Sequence, residues 1–543
     1  MQAVTEPLRD GPALTRDLVK GEPAAQQWFG GDFRDSGSRR NRAEWLDQTE
    51  DQRASRQELA LVLRAYNSKH NARPEVMAAI ERLEQPGTLA VAGGQQSGLF
   101  TGPLLVIYKA ATLIMAAREA AAELGRAVVP VFWIAGEDHD WDEVNHTYVL
   151  GRSNEIAKIK IEAAGAGRAP VSQVPVGAEH WEEAIGQLDE LLQPSDFKEE
   201  LMQTVRASIE SAETMTDSFA KLIGALFGRY GLILLDSADP ALRGLEQPFF
   251  RQFIQRNDEY EQAYHEAAAG IREAGYTLQA EVADGGANLF YVHDGSRLLL
   301  HKQDGRFLDR KGIVSFTEAE LLAELDAHPE RFSNNVLSRP LMQDYVLPVL
   351  ATVLGPGEIA YWAITSRAFG VAGLQMPLIA PRMSYTMVEG TLQKHMDKYG
   401  LTFADVRERM AEKRADWLKA QDELQLDRQF EEVKAAFLAL YEPLIGKIGT
   451  VQPGLVKLGG SNRDKIVDQI NFLAGKTAEA AAKQHEAALR QWERIEHGLY
   501  PLGKPQERVY NVLFYLNRYG FEWIDQLLEL EPDFSGTHRI LHM

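Results

Sequence analysis

The stretch TLAVAGGQQSGLFTGPLLVIYKAATLIMAA, which begins at Thr88, constrains the fold of this chain more than any other part of the sequence. A short apolar run meets two glycines, and Pro103 then opens a long apolar segment, as is typical of the first turn of a helix. A second apolar run with an acidic end, AVVPVFWIAGED, follows from Ala127. A strand, a helix and a strand in this order form a βαβ unit, which predicts a parallel sheet.

The remainder of the first 390 residues continues this α/β pattern. The segment YGLILLDSADPALRGL repeats the apolar run into a helix start, and MPLIAPRMSYT supplies a final strand. Two stretches interrupt the pattern: residues 151–225 carry a small β segment and amphipathic helices, whereas residues 275–315 contain the DGG and DG turns of an antiparallel sheet. We predict an α/β core domain over residues 1–390 with insertions at these two places.

The chain changes character after residue 390. Residues 391–500 are helical and charged, with apolar positions at steps of three and four, which predicts an α-helical hairpin of the coiled-coil type. Residues 501–543 are predicted to form a helical cap that packs back on the core. The two arms of the hairpin carry more large apolar side chains than a lone exposed hairpin should, namely Phe437, Tyr441, Trp492 and Ile495. We therefore expect a homodimer through the hairpin, with packing of the hairpin on its own core as the alternative.

Composition excludes several classes of protein. The net charge of −20 argues against nonspecific nucleic-acid binding and against a tRNA synthetase, because phosphate neutralisation needs a basic face. The chain contains no cysteine, which excludes disulfides, a cysteine-ligated zinc and a thiol nucleophile. The first residues lack the apolar centre of a signal peptide, and no window approaches the roughly 18 apolar residues of a membrane span. We expect a cytoplasmic protein that does not enter the membrane.

The loop of residues 93–102 combines glycines with neutral hydrogen-bond donors. Glycine lets a ligand approach the backbone closely, and the helix that follows presents free N–H groups at its N-terminus. We therefore expect a phosphate or carboxylate to bind here, although the spacing is neither that of a P-loop nor that of a dinucleotide fingerprint. A plain strand–helix turn is the alternative. The candidate binding residues are Gly94, Gln95, Gln96, Ser97, Gly98 and Thr101.

Ionisable side chains crowd the end of the second predicted strand, in the sequence GEDHDWDEVNH. Ligands of open α/β sheets bind at the carboxyl ends of the strands, and so many acids repel one another unless a cation or an ammonium group lies among them. A substrate amine or sugar hydroxyls could supply that partner. A metal held by His139 with Glu143 or by Asp142 with His146, and a solvated helix start, are the alternatives. The candidate catalytic residues are Asp138, His139 and Asp140.

Two later motifs carry further polar candidates. After the last predicted strand, Arg382 and Ser384 alternate with apolar residues and are candidates for binding the same phosphate. The motif GKPQERVYNVLFYLNRYG places polar groups at helical spacing beside aromatic residues, which indicates either a helix packed on the hairpin or a second nucleotide pocket. The candidates for that second pocket are Lys504, Gln506, Arg508 and Asn511.

Five motifs in the order GGQQSGLFTGPL, PVFWIAGEDHDWDEVNH, GEIAYW, MPLIAPRMSYT and GKPQERVYNVLFYLNRYG resemble the BshC-type cysteine ligases of bacillithiol biosynthesis. The resemblance runs from about residue 88 to about residue 525. It implies a Rossmann-like core related to nucleotidyltransferases and class I aminoacyl-tRNA synthetases. It also implies inserted connective segments and a C-terminal coiled coil that mediates dimerisation.

The family resemblance implies a reaction that joins cysteine to glucosaminyl-malate through an amide bond. In the class I pattern, residues 96–99 would occupy the place of HxGH, and residues 382–386 that of KMSKS. Each histidine is replaced and the second lysine is Tyr385, so the cations that stabilise a pyrophosphate leaving group are reduced in number. Activation by adenylation and activation by phosphorylation both remain open, as does a requirement for a second protein.

The sequence therefore predicts an ATP-dependent ligase that acts in the last step of bacillithiol biosynthesis, with ATP and cysteine as substrates. We expect the glycine loop and Arg382 to hold the activating phosphate, and magnesium is a candidate companion of ATP. The acidic segment would bind the sugar amine and take its proton. A non-catalytic scaffold, with a nucleotide-sensing core and a coiled coil that binds a partner, is the alternative.

Overall fold

The structure is a computed structural model that describes residues 2–6, 11–162, 167–421 and 425–543, with only the backbone described at residues 2, 481, 482 and 484. The chain divides into two compact units. The first comprises residues 1–387 together with 504–543, and the second comprises residues 388–503. The predicted division was at residues 391 and 501.

The β-strands of the described chain fall mainly in the first unit and form separate sheets. In chain order they are β1 (Gln2–Glu6), β2 (Leu89–Gln95), β3 (Val128–Ile134), β4 (His146–Leu150), β5 (Ile156–Lys160), β6 (Ile233–Asp236), β7 (Gly286–His293), β8 (Ser296–Gln303), β9 (Arg306–Asp309), β10 (Ser315–Thr317), β11 (Phe332–Asn334), β12 (Val349–Leu354), β13 (Leu378–Pro381), β14 (Ser384–Val388) and β15 (His538–His542).

The helices occur in both units, and beyond β14 they make up the whole of the second unit's described regular structure. In chain order they are α1 (Ala13–Lys20), α2 (Pro23–Gln26), α3 (Ser36–Gln48), α4 (Arg56–His70), α5 (Pro74–Glu84), α6 (Leu104–Leu124), α7 (Trp141–Val144), α8 (Ala178–Leu191), α9 (Lys198–Ile209), α10 (Met215–Phe227), α11 (Pro240–Gln255), α12 (Asn257–Glu273), α13 (Glu318–Ala327), α14 (Arg339–Val346), α15 (Pro356–Trp362), α16 (Ser366–Val371), α17 (Gly390–Tyr399), α18 (Phe403–Glu408), α19 (Met410–Ala420), α20 (Leu426–Gly449), α21 (Gly454–Gln484), α22 (Glu486–Leu499), α23 (Val512–Tyr519) and α24 (Glu522–Leu528).

A five-stranded parallel sheet forms the centre of the first unit, in the order β13–β12–β2–β3–β6. This confirms the predicted α/β fold with a parallel sheet. Alternate residues of β2 enter different apolar cores: Leu89 and Val91 lie on one face, and Ala90 and Ala92 lie on the other. The chain proceeds from β2 to β3 on one side and returns to β12 on the other, so the order of the strands reverses between β2 and β12. Ligands of such sheets bind outside the carboxyl ends of the strands at this switch point.

Both predicted insertions contain antiparallel strands. The first contains β5, α8, α9 and most of α10, and β5 pairs with β4, which lies before residue 151, where the insertion was predicted to begin. The second is a sheet of order β10–β9–β8–β7–β11. Its strand β11 pairs with β7 and lies beyond residue 315, where the insertion was predicted to end. The sequence did not indicate β11 because its three residues, FSN, are too short to show alternation.

The end of the chain is not purely helical, so the prediction of a helical cap needs a correction. Helices α23 and α24 pack in the core of the first unit, and β15 then pairs antiparallel with β1. The two terminal segments form one sheet with β14.

The second unit contains the predicted helical hairpin, formed by α20 and α21 and joined at residues 450–453. Trp492 and Ile495 are buried inside this unit, with the Trp492 ring 4.8 Å from that of Tyr399, so the prediction that they form an exposed surface was wrong. Leu440 and Phe472 are 79% and 60% exposed. Among the described residues, no helix combines the length and apolarity that a bilayer crossing requires.

Candidate functional site

A cavity of about 750 Å³ opens at the carboxyl ends of β2 and β3, at the switch point of the parallel sheet. Its wall comes from the parallel sheet, from the antiparallel inserted sheet and from the segment between β11 and α15. Five of the sequence-predicted site residues line it, namely Gly94, Gln95, Gln96, Asp138 and His139. These residues come from two adjacent strand ends, where the chemistry of an open α/β sheet is expected.

Gln96 organises the acidic end of the cavity. Its amide nitrogen donates to the Asp138 carboxylate at 2.6 Å and to the Glu143 carboxylate at 2.9 Å. Both amide hydrogens are used by these bonds, so the oxygen of the Gln96 amide is the atom left for a ligand. Burial raises the pKa of Glu143, and the carboxylates of Asp140 and Asp138 raise it further.

His139 lies beside an arginine of the inserted sheet. The Arg297 guanidinium is 3.5 Å from Nδ1 of His139 and 3.8 Å from the Asp138 carboxylate, and its carbon lies 3.9 Å from the centre of the Phe290 ring. Burial lowers the pKa of His139, and the positive charge of Arg297 lowers it further. The imidazole is therefore neutral at physiological pH and able to accept a proton.

The floor beneath His139 holds a buried ion network. Arg243 pairs with Glu137, which lines the cavity, and with Glu246 at 2.5 Å. Burial raises the pKa of Glu246 to about 7, and burial likewise raises the pKa of Asp236 to about 7. Because Arg243 neutralises Glu137, that carboxylate is a structural member of the floor rather than a free acid.

A further ion pair, between Lys109 and Glu358, lies next to the end of β2. Lys109 of α6 is buried, and its ammonium group donates to the Gly94 carbonyl at 2.7 Å and to the Glu358 carboxylate at 2.5 Å. Burial lowers the pKa of Lys109 to about 8. Glu358 also accepts from the Gly355 N–H and lines the cavity. The pair thus ties the end of β2 to the start of α15 across the switch point.

Four other predicted residues lie outside the cavity lining. Ser97 bonds to the Thr216 hydroxyl at 2.9 Å in the interior, and Thr101 is buried at a φ of 79°. A Cβ at Gly98 would lie 2.9 Å from the Gly102 Cα, so this glycine allows the loop to pack on itself. Asp140 caps α7 by accepting from the Glu143 N–H at 3.2 Å. The loop is therefore held by its own packing, and only its first residues reach the cavity.

Arg382 and Ser384 do not line the cavity, which corrects their predicted position beside an activating phosphate. The Arg382 guanidinium makes a buried bidentate pair with Glu507, at 2.6 and 3.0 Å. The Ser384 hydroxyl lies 2.7 Å from Nδ1 of His538, on β15. A charge that is already compensated in the interior is a poor receptor for a further anion.

The predicted second nucleotide pocket is also corrected. Gln506 is buried, and its amide bonds to both the N–H and the carbonyl of Met387, at 2.9 and 3.0 Å. Asn511 is buried and donates to the carbonyls of Phe100 and Gly102 at 2.7 and 2.8 Å. Lys504 and Arg508 are exposed. The two amides thus act as clamps between distant segments, and none of the four lines the cavity within the described chain.

Several cavity residues were missed by the sequence argument. They come from the inserted sheet and from the segment that follows it, and include Asn288, Phe290, Arg297, His301, Arg310, Asn334, Arg339, Glu358 and Tyr361. The motif GEIAYW, which contains Glu358 and Tyr361, was the one signal that could have found any of them. The others lie in segments with no motif.

Within the described residues, no group of three histidine, aspartate or glutamate side chains is arranged to hold a metal ion. His146 does not line the cavity with His139, and its Nδ1 is 3.2 Å from the Asn145 amide oxygen. The two sequence-predicted metal pairs therefore do not come together with a third ligand of those types in this part of the chain.

The sheet order and the cavity together define a doubly wound α/β protein with a cavity lined by charged and amide side chains at its switch point. A family model described as "Bacillithiol biosynthesis BshC, N-terminal Rossmann-like domain" matches residues 1–383. A second, described as "Bacillithiol biosynthesis BshC, C-terminal coiled-coil domain", matches residues 385–543. The chain belongs to the BshC family.

Relatives of similar length support this assignment. Proteins named "Putative cysteine ligase BshC" from Bacillus cytotoxicus, Bacillus anthracis and Bacillus cereus are each 36% identical to this chain. Each alignment covers 90% of this chain and 91% of the relative. The family resemblance read from the motifs is thereby confirmed.

Proposed function

We propose that this protein is a ligase that joins cysteine to glucosaminyl-malate through an amide bond, with ATP activating the cysteine carboxylate. The family assignment and the names of the relatives support a cysteine ligase of bacillithiol biosynthesis. The observation that carries the proposal is that one cavity at the switch point is lined by three kinds of group: carboxylates, a neutral imidazole and guanidinium groups. Such a cavity suits an amine nucleophile and an anionic, activated partner.

Amide formation requires an activated carboxylate and a free amine held close together. Activation transfers a phosphoryl or an adenylyl group from ATP to a carboxylate oxygen, with ADP or pyrophosphate as the other product. The amine then attacks the carbonyl carbon, the C–N bond forms, and the C–O bond to phosphate or AMP breaks. The attacking nitrogen loses a proton in this step. The protein must therefore hold two substrates and accept one proton.

The acidic end of the cavity suits the amine. Asp138 and Glu143 both accept from the Gln96 amide nitrogen, which holds their carboxylates next to each other in the cavity wall. His139 is the first candidate to accept the proton, because burial and Arg297 keep its pKa low and its imidazole neutral. Glu143 is the second candidate, because burial raises the pKa of its carboxylate toward the working range. Asp140 does not line the cavity; it contributes by capping α7, the helix that carries Glu143.

Arg339 in the cavity wall suits ATP and the carboxylates of the substrates, since arginine forms bidentate bonds to planar oxyanions. In this proposal Arg339 takes the role that was predicted for Arg382. Magnesium would accompany ATP as the counter-ion of its phosphates. The lack of the two histidines and of the second lysine of the class I motifs leaves both routes of activation open.

Complementation tests the proposal in cells. The host is a species that normally makes bacillithiol, from which its own gene of this family has been deleted. Expression of this chain should restore the thiol, measured by mass spectrometry after thiol labelling. Cells without the gene should accumulate glucosaminyl-malate. A chain that is expressed in soluble form and restores no bacillithiol would contradict the proposal.

A further inference from the structure

Arg339 is a partly buried cation of the cavity wall whose bonds go to neutral groups. Its guanidinium donates to the Gln343 amide oxygen at 3.1 Å and to the Tyr361 hydroxyl at 3.2 Å. It makes no ion pair with a carboxylate among the described residues. A guanidinium carries five N–H donors, so the capacity of Arg339 to bind an anion is largely unused.

Other arginines in the interior of the first unit are different. Arg42 pairs with Asp344 at 2.5 Å, and Arg382 pairs with Glu507 at 2.6 Å. These carboxylates offset the cost of removing a positive charge from water. Arg339 is less buried than these two and has no carboxylate within ion-pair distance, although Glu358 and Glu137 lie near enough to favour its charge. Because it lines the cavity, an anion that enters can form the direct pair that Arg339 lacks.

The backbone of β2 is shaped to admit this guanidinium. A Cβ at Gly94 would lie 3.2 Å from Nη1 of Arg339 and 3.2 Å from the Trp133 carbonyl oxygen, which is tighter than ordinary contact. Glycine at this position therefore lets the guanidinium rest against the carboxyl end of the central strand. That is the edge of the sheet at which ligands bind in doubly wound folds.

A second polar group in the same wall also lacks a partner. Asn334 lines the cavity and is 2% exposed, yet neither the nitrogen nor the oxygen of its side-chain amide has a hydrogen-bond partner. Buried amide groups are normally paired, so an unpaired one in a cavity wall points to a ligand as its partner. Asn334 is the last residue of β11 and Arg339 is the first residue of α14, so a short loop joins them.

We propose that Arg339 and Asn334 form the oxyanion receptor of this cavity, which binds a carboxylate or a phosphoryl group of a substrate. The inference rests on the proposed function for the identity of that substrate. The oxyanion then comes from the cysteine carboxylate, from the malyl carboxylates or from the phosphates of ATP. Arg339 supplies the charge and the fork of donors, and Asn334 supplies a neutral donor that helps to fix orientation.

Direct binding to the full-length protein tests the inference without requiring turnover. Calorimetry and thermal shift are measured with cysteine, malate, inorganic phosphate and ATP as separate probes. We expect at least one probe to bind. Arg339→Gln should lower the affinity for that probe by about tenfold or more, as is usual for the loss of a charge-assisted bond. Arg339→Lys should lie between the two. Arg251→Gln, which removes an exposed partner of Asp326, is the matched control and should bind as the wild type does.

Asn334→Ala keeps the test decisive if Arg339→Gln folds poorly. The side-chain amide of Asn334 makes no hydrogen bond within the folded protein, so its removal should leave the melting temperature of the free protein unchanged or raised. The affinity for the same probe should still fall. The probe that is affected identifies the source of the oxyanion. Failure of every probe to bind the wild type, or equal affinities in the wild type, Arg339→Gln and Asn334→Ala, would overturn the inference. Loss of binding in a protein that shows no ligation would uphold it while contradicting the proposed function.

Discussion

A side-chain amide, a carboxylate pair and an imidazole give the acidic end of the cavity its chemistry. Gln96 donates both amide hydrogens to Asp138 and Glu143, which explains why an amide rather than a charged group stands in the glycine loop. A lysine at position 96 would neutralise these carboxylates permanently, whereas the neutral amide positions them and leaves their charge available to an amine. The loop therefore supports its neighbour more than it binds a phosphate itself.

His139→Ala and Asp138→Asn should each lower kcat by about 100-fold or more, because general acid–base groups contribute on that order. Both side chains are about one-quarter to one-third exposed, so neither substitution should change the melting temperature appreciably. Steady-state ligation and thermal unfolding measure the two effects. His180→Ala, at a partly exposed position on α8, serves as the control and should retain wild-type activity. Wild-type activity in both cavity variants would show that this site is wrongly assigned.

Arg297 should set the protonation of His139. Burial and Arg297 both lower the pKa of His139, so the imidazole stays neutral as the pH falls below the usual value of 6.5. Arg297→Gln removes the positive charge and should raise the pKa of His139. The acid limb of the kcat/KM profile should then move to higher pH, since the proton-accepting form is lost sooner on acidification. Titration of His139 by NMR in Arg297→Gln and Arg297→Lys measures the shift, and an unchanged pKa in Arg297→Gln would contradict the coupling.

At the scale of elements, the parallel sheet was predictable because its signals are local. The run of residues 89–92, the glycines and Pro103 lie in one continuous stretch, and their order alone predicts a strand, a turn and a helix. Asp138 and His139 were identified for the same reason, since they follow directly on a strand. The carboxyl ends of β2 and β3 are adjacent in the sheet, so the two motifs meet.

The other half of the site could not be predicted, because insertions and long-range contacts create it. Arg297 lies on β8 of the inserted sheet and reaches His139 across 158 positions of the chain, and no pattern in its own segment marks it. The opposite error occurred at Asn511. A polar residue among aromatic ones suggested a pocket, but its amide is satisfied by the Phe100 carbonyl, 411 positions away. Polarity in a sequence thus reveals a need for partners without revealing whether the partner is a ligand or the chain.

Two glycines of the β2–α6 connection should respond differently to substitution by alanine. Gly94→Ala should mainly weaken ligand binding, because its Cβ would press on the Arg339 guanidinium, which can move, while its 3.2 Å contact with the Trp133 carbonyl oxygen is less severe than the 2.9 Å contact at Gly98. Gly98→Ala should mainly destabilise the fold, by about 1–3 kcal/mol, because its Cβ would meet the Gly102 backbone. Thermal unfolding and titration with the probe that binds Arg339 separate the two effects. Equal losses of stability in the two variants would contradict this division.

At the scale of the whole molecule, the second unit carries the remaining unexplained surface. Leu440 of α20 and Phe472 of α21 are largely exposed, on helices long enough for several heptads. Exposed apolar side chains on a long hairpin are most simply covered by a second copy, because one patch then serves both subunits. We propose a homodimer through this hairpin, as the coiled-coil character of the family's C-terminal domain suggests.

Sedimentation should show the full-length protein as a dimer at micromolar concentration. Leu440→Glu with Phe472→Glu should shift it toward the monomer, because charges would then lie in the contact. Leu61→Glu with Ile313→Glu, at positions that are 63% and 53% exposed, adds the same two negative charges to the first unit and should leave the dimer intact. A monomeric wild type, or a dimer unaffected by the double substitution, would count against the hairpin as the interface.

Reconstitution with purified protein tests the central claim most directly. The protein is incubated with cysteine, glucosaminyl-malate, ATP and magnesium, and mass spectrometry follows both the thiol product and the nucleotide. We predict that the amide product forms in step with either AMP or ADP, and that His139→Ala forms it at least about 100-fold more slowly. The assay is repeated with extract of cells that lack the gene, which supplies any second protein. Absence of product under both conditions, from protein that is folded and binds ATP, would contradict the ligase assignment and favour the nucleotide-sensing scaffold.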